Sequence, residues 1–121
     1  MVPEIYKPKK IDKAWGYELH IHNDNEYCGK ILHFNKGAKF SMHFHLSKKE
    51  TWYVSKGSFL MILIDTENAY PEEFLFYQGD AILIPRGQPH QLIAQEESDI
   101  FEVSTTHFDA DSYRIIPGDS Q

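Results

Sequence analysis

Apolar and polar positions alternate with a period of two over residues 17–22, 30–34, 40–45 and 51–54. Alternation of this kind sends successive side chains to opposite faces of a pleated strand. Turn residues separate the runs: Asn23-Asp24-Asn25, Asn35-Lys36-Gly37 and Lys56-Gly57. Residues 59–64 are an unbroken apolar run of strand length, expected to be covered on both faces. The polar stretch 65–73 is expected as a hairpin loop. Further strands are predicted over 74–77, 81–84, 90–94 and 100–104, and residues 109–114 fit either a short helical turn or a last strand. No window of helical length carries 3.6-residue spacing. About ten short strands with frequent turns predict an all-β sandwich or barrel.

A chain of 121 residues is expected to form one domain, 1–121, with residues 1–10 as an arm and 117–121 as a loose tail. At this length about two thirds of the unfolded surface is buried on folding. The lone cysteine, Cys28, rules out an internal disulfide and fits a reducing compartment. The start, MVPEIYKPKK, has no apolar signal-peptide core, and no apolar run approaches the ~20 residues of a membrane-spanning helix. A soluble, cytoplasmic protein with no membrane partner is expected. The net charge of −6 argues against a nucleic-acid partner, and the basic cluster from Lys7 to Lys13 is read as a solvated arm.

The chemistry concentrates in GAKFSMHFHLSKKETWYVSKG, residues 37–57. His43 and His45 share a strand face with Cα atoms ~6.5–7 Å apart, close enough for two imidazoles to meet one ion. Phe40, Met42 and Phe44 are expected on the opposite face, anchoring the strand. Glu50 would return beside the pair across a short connection. The candidate fourth ligand is His90, which follows the turn Pro85-Arg86-Gly87 in GDAILIPRGQPH. Three imidazoles and a carboxylate suit one divalent first-row ion (Zn, Mn, Fe, Co or Ni), and ligand identity does not choose among them. His20 and His22 also share a face, but no acidic or cysteine partner stands at ligand spacing. His33 and His107 are expected on the sheet surface or behind the ligands.

The spacing Gly37, His43, His45, Glu50, Gly57 resembles the first cupin motif, and Gly79, Pro85, Gly87, His90 resembles the second. The Asn that closes the second motif in the family is replaced here by Ala94, at a turn position rather than a ligand one. The resemblance implies a single-domain jelly roll, a double-stranded β-helix of two antiparallel sheets. It also implies a metal in the mouth, held by His43, His45, Glu50 and His90. The flanking stretches KAWGYELHI and FEVSTTHFDADSYRI resemble small mannose-6-phosphate isomerase-like cupins. That branch implies a sugar-phosphate isomerase or epimerase, with Glu102 as the base and Lys48 or Lys49 stabilising the oxyanion. Arg86 and Arg114 would take the phosphate, and Trp52 would face the sugar. It further implies a homodimer, with residues 2–6 adding a strand across the partner. Two alternatives stand beside this reading: a non-catalytic metal-containing cupin that binds a sugar or metabolite, and an iron-dependent dioxygenase.

Overall fold

The structure, a computed structural model, describes residues 1–119. In chain order its strands are β1 (Lys9–Lys13), β2 (Gly16–Asn23), β3 (Cys28–Phe34), β4 (Met42–Phe44), β5 (Glu50–Lys56), β6 (Ser58–Asp65), β7 (Tyr70–Tyr77), β8 (Ala81–Ile84), β9 (His90–Ala94), β10 (Ser98–Ser104) and β11 (Tyr113–Ile116). All pairings are antiparallel, in a six-stranded sheet of order β1-β2-β3-β10-β5-β8 and a five-stranded sheet of order β11-β4-β9-β6-β7. The two sheets face each other as a jelly roll. No helix among the described residues is long and apolar enough to cross a membrane.

Period-two burial shows which face each strand turns inward. In β3 the buried residues are Cys28, Lys30, Leu32 and Phe34. Leu32, Ile100 and Val54 line one inner face, and Phe59, Met61 and Leu92 come from the other. Trp15 stacks on Phe34 at 4.5 Å, and Phe34 meets Phe59 edge-on at 5.0 Å. Each such large apolar side chain contributes roughly 1.5–3 kcal/mol on burial. The same inner face turns polar one step along each strand. Lys30, Glu102 and Trp52 stand beside Leu32, Ile100 and Val54 and give the sandwich a polar mouth.

Several expected elements differ from what forms. β4 is only three residues long, because regular pairing begins after Ser41. The alternation expected from residue 40 therefore fails at its start. Phe40 turns inward, packs with Trp15 and Phe34, and lies 5.0 Å from the His43 ring rather than on the opposite face. In β6 only Phe59 and Met61 are fully buried, while Leu60 and Ile62 are half-covered, so the apolar run is not enclosed on both sides. The polar stretch 65–73 is mostly strand: Asp65 pairs with Tyr70, and Pro71–Glu73 continue β7. β7 is an edge strand whose exposed face accepts polar residues and proline. Lys9–Lys13, inside the expected arm, is edge strand β1. Residues 1–8 are exposed and carry no strand, and the Tyr6 hydroxyl donates to the Ile21 carbonyl at 2.6 Å.

Residues 109–114 hold a loop followed by the start of β11, and they bind the sandwich tightly. The Asp111 carboxylate accepts hydrogen bonds from the amides of Leu46, Ser47 and Lys48 at 2.9–3.1 Å. Burial opposes its ionisation, but these amides outweigh burial and hold the carboxyl below the usual range. Farther on, Asp119 exchanges hydrogen bonds with Lys39, and Gly118 passes so close to Phe40 that a Cβ would overlap the Phe40 carbonyl. Residues 117–119 are thus pinned rather than loose. The rest of the expected tail, 120–121, lies outside the described residues.

Three substitutions test this frame. Gly57 has φ +83°, and a Cβ there would overlap the Ser98 side chain. Gly57→Ala is expected to cost about 3 kcal/mol in thermal unfolding. Gly87→Ala, at φ +80° with open space around it, should cost only about 1 kcal/mol. Asp111→Ala removes three charge-assisted bonds and should cost about 2 kcal/mol at pH 7. Because the folded-state pKa of Asp111 is depressed, its contribution is present above the unfolded value of about 3.9 and is lost as pH falls through the folded one. The melting-temperature gap between wild type and variant should therefore close in acid.

Candidate metal centre

His43 on β4 stands directly opposite His90 on β9 in the antiparallel register, which brings their rings to 4.6 Å. His45 follows the end of β4, and its ring lies 5.0 Å from His43 and 5.4 Å from His90. Each imidazole gives its Nδ1 proton to a backbone carbonyl: His43 to Ser41 at 2.7 Å, His45 to Asp111 at 2.7 Å and His90 to Gln88 at 2.8 Å. This fixes the tautomer and leaves three Nε2 lone pairs free. One ligand atom from each ring can be chosen so that all three lie within 4.8 Å of one another. Burial is the main force holding all three below the ordinary histidine pKa, His45 down to about 4 with Lys48 adding to the effect. They are neutral near pH 7, the form that ligates.

Glu50 opens β5 and is almost fully buried. Its Oε1 accepts the Trp52 indole N–H at 2.5 Å. Its Oε2 is a buried atom without a hydrogen-bond partner, 3.5 Å from His45 Nε2 and 3.7 Å from Lys48 Nζ. An orphaned carboxylate oxygen is costly unless something positive meets it. Three neutral imidazoles beside an unspent carboxylate oxygen therefore fit a borderline divalent ion. The tight group itself is the three histidines, and Glu50 stands at its flank.

Behind the imidazoles lies a buried charge cluster. Lys48 Nζ meets Glu102 Oε2 at 3.2 Å and His107 Nδ1 at 3.4 Å. Burial disfavours the ammonium, but Glu102 and Glu50 outweigh it and raise the Lys48 pKa. For the protein alone, burial and then the Glu102 carboxylate push Glu50 up, whereas Lys48 and Lys30 overcome burial and hold Glu102 down. The two carboxyls are thus driven apart, Glu50 upward and Glu102 downward.

The centre opens into a cavity of about 870 Å³. Of the residues expected in the site, His43, His45, His90, Glu50, Glu102, Lys48, Trp52 and Arg114 all line it. Arg114 arrives because β11 places it opposite His43. Trp52 is buried, with its N–H spent on Glu50. Lys49 and Arg86 are not brought to the cavity: both are exposed, and Arg86 Nε donates to the Ser47 carbonyl at 2.9 Å. The site also holds residues with no expected role, among them Glu18, Lys30 and Asp109. His20 and His22 part company at a bulge: His20 faces the cavity, whereas His22 stacks on Tyr27. Contrary to expectation each has an acidic partner, Glu18 at 2.7 Å and Asp24 at 2.8 Å. His33 pairs with Asp99 away from the cavity, and His107 lines it against Lys48. Around the cavity five cations (Lys9, Lys13, Lys30, Lys48, Arg114) outnumber four carboxylates (Glu18, Glu50, Glu102, Asp109), in a chain of net charge −6.

The fold has many solved counterparts. KdgF from Halomonas sp. aligns over 78% of this chain and 81% of its own, at 21% identity and TM-score 0.67. The capsular polysaccharide assembling protein CapF of Staphylococcus aureus aligns over 93% of this chain, at 16% identity and TM-score 0.79. A tryptophan-to-tyrosine variant of oxalate decarboxylase from Bacillus subtilis aligns over 95%, at 17% identity and TM-score 0.80. The chain spans about a third of those last two proteins, 32% and 33%. No curated protein matches the sequence. The family model described as Cupin matches residues 13–118, nearly the whole chain, and the protein belongs to the cupin family.

Proposed function

We propose that this cupin is a metal-dependent isomerase or epimerase acting on a sugar phosphate. The observation that carries the reading is one cavity in which three neutral imidazoles face a buried carboxylate–ammonium couple, Glu102 and Lys48. His43, His45 and His90 would hold the ion, with Glu50 as a fourth donor. When bound, the ion supplies Lewis-acid polarisation of a sugar carbonyl or hydroxyl. Glu102 takes a proton from the carbon beside the carbonyl and returns it to the neighbouring carbon. Lys48 donates to the sugar oxygen on which negative charge develops. Arg114, beside His43 at the cavity wall, offers bidentate donation to the phosphate, and the surplus of cations favours an anionic ligand. Lys49 and Arg86 take no part in this arrangement. The structural likeness to a capsular polysaccharide assembling protein is consistent with a sugar ligand.

A cytoplasmic homodimer completes the reading. Tyr53, Phe101, Val103 and Leu83 are exposed on neighbouring strands of the six-stranded sheet, an apolar outer face of the kind that pairs with a second copy.

One observation favours a second reading, a metal-containing cupin that binds a sugar without converting it. Lys48 and Lys30 hold Glu102 firmly ionised, and a carboxylate so stabilised is a weak base.

Elemental analysis of untagged protein prepared without chelators, and an NMR assay of mannose 6-phosphate with the recovered metal restored, separate the two. Isomerisation to fructose 6-phosphate with near one equivalent of metal supports the first reading; the same metal content without conversion supports the second. His45→Ala should lose most of the metal and keep its circular dichroism spectrum. Full occupancy in that variant would remove His45 from the ligand set. Glu102→Gln should keep its metal and lose at least about 100-fold in turnover. Unchanged turnover would move the base elsewhere.

A further inference from the structure

The cavity does not end at the metal centre. It continues as a polar trough along the inner face of the six-stranded sheet. The register sets Lys9, His20, Lys30, Glu102 and Trp52 in one row across β1, β2, β3, β10 and β5, and all five line the same cavity. Strands lie about 4.8 Å apart, so across the sheet Lys30 is about 10 Å and Lys9 about 20 Å from Trp52. Trp52 itself touches the centre, 5.1 Å from the His90 ring. At about 870 Å³ the cavity is at the upper end of the range for sites that enclose drug-sized ligands. A ligand held at the imidazoles must extend past Glu102 to meet Lys30.

Lys30 helps hold Glu102 ionised, yet it stands on β3, beyond Glu102 from the imidazoles, and lines the far arm of the cavity. It is 4% exposed, yet its ion-pair partner, Glu18, stands at 3.5 Å, and it donates no hydrogen bond among the described residues. An ammonium carries three donors, and the ion pair with Glu18 at 3.5 Å leaves some of them to the cavity. Glu18 is held in turn by His20 Nε2 at 2.7 Å, which leaves the remaining side of the ammonium to the trough. Lys9 and Lys13 flank it from the edge strand, while the alternate residues Lys10 and Asp12 pair with each other on the other face.

We propose that this far arm of the trough is a second, anion-binding subsite. In it Lys30, flanked by Lys9 and Lys13, holds the terminal carboxylate or phosphate of a ligand two sugar rings long, whose other end lies at the imidazoles. The subsite rests on the sugar-ligand reading above. It narrows that reading from a monosaccharide phosphate to an acidic ligand of disaccharide size.

Calorimetric titration of the metal-loaded full chain tests it with four probes: trehalose 6-phosphate, digalacturonate, neutral maltose and mannose 6-phosphate. At least one acidic disaccharide should bind about tenfold more tightly than both maltose and mannose 6-phosphate, the gain expected of one charge-assisted contact. Which of the two gains tells phosphate from carboxylate. Lys30→Met should erase the advantage, with a loss in mannose 6-phosphate binding severalfold smaller than the loss in binding of the acidic disaccharide. Should that variant fail to fold, the double variant K9Q/K13Q, exposed at both positions, should reduce the advantage severalfold. The proposal is overturned if neither acidic disaccharide gains over maltose, or if the gain survives the substitutions. Turnover is not read here, so a protein that shows the preference but leaves mannose 6-phosphate unconverted loses the isomerase reading and keeps the subsite.

Discussion

Three hydrogen bonds from imidazole Nδ1 to backbone carbonyls are the constraint on which the centre rests. Each carbonyl comes from a different part of the chain: Ser41 before β4, Gln88 in the turn before β9, and Asp111 in the loop before β11. The rings are therefore aimed by main chain that the whole sandwich positions, not by one another. Burial completes the arrangement by keeping the imidazoles neutral, so that lone pairs rather than protons face inward. A carbonyl shifted by one pleat would present the wrong ring nitrogen.

The interior has two ends made by the same pleat. At one end Phe34, Phe59, Val54 and Ile100 are wholly buried and supply the apolar stabilisation. At the other end Lys30, Lys48, Glu50 and Glu102 are buried almost as deeply, at a desolvation cost that their mutual contacts only partly offset. A polar network of this kind is tolerated because the apolar end carries the fold. The charge distribution follows: an acidic protein presents its surplus of cations inside the mouth, where an anion would be drawn.

Much of this was legible in the residues. Period-two spacing put His43 and His45 together, the motif spacing brought in His90 and Glu50, and the alternation indicated an all-β sandwich. What escaped was set by register and by distant chain. That Lys9, His20 and Lys30 share a row with Glu102 depends on how four strands are aligned, including a bulge in β2 that no local pattern reveals. Asp111 looked like one polar residue among several in FDADSYR, because the three amides it binds lie more than sixty residues upstream. Phe40 fits the alternation on paper, but the irregular backbone before β4 turns it inward beside His43. Arg86 sits two residues beyond Ile84, yet its turn points it at the Ser47 carbonyl and away from the cavity. Proximity in sequence is a weak guide when a turn intervenes.

The clamp made by Asp111 also sets an order of events during synthesis. His43, His45, Glu50 and His90 have all been made before the loop that carries Asp111, and β11, which flanks β4, follows later still. While the chain emerges from its N-terminal end, the β4 edge is unpaired and His45 lacks the carbonyl that orients it. The centre therefore matures only after residue 111 has been made. A nascent chain paused short of residue 111 would carry all four candidate donors but lack the carbonyl that aims His45.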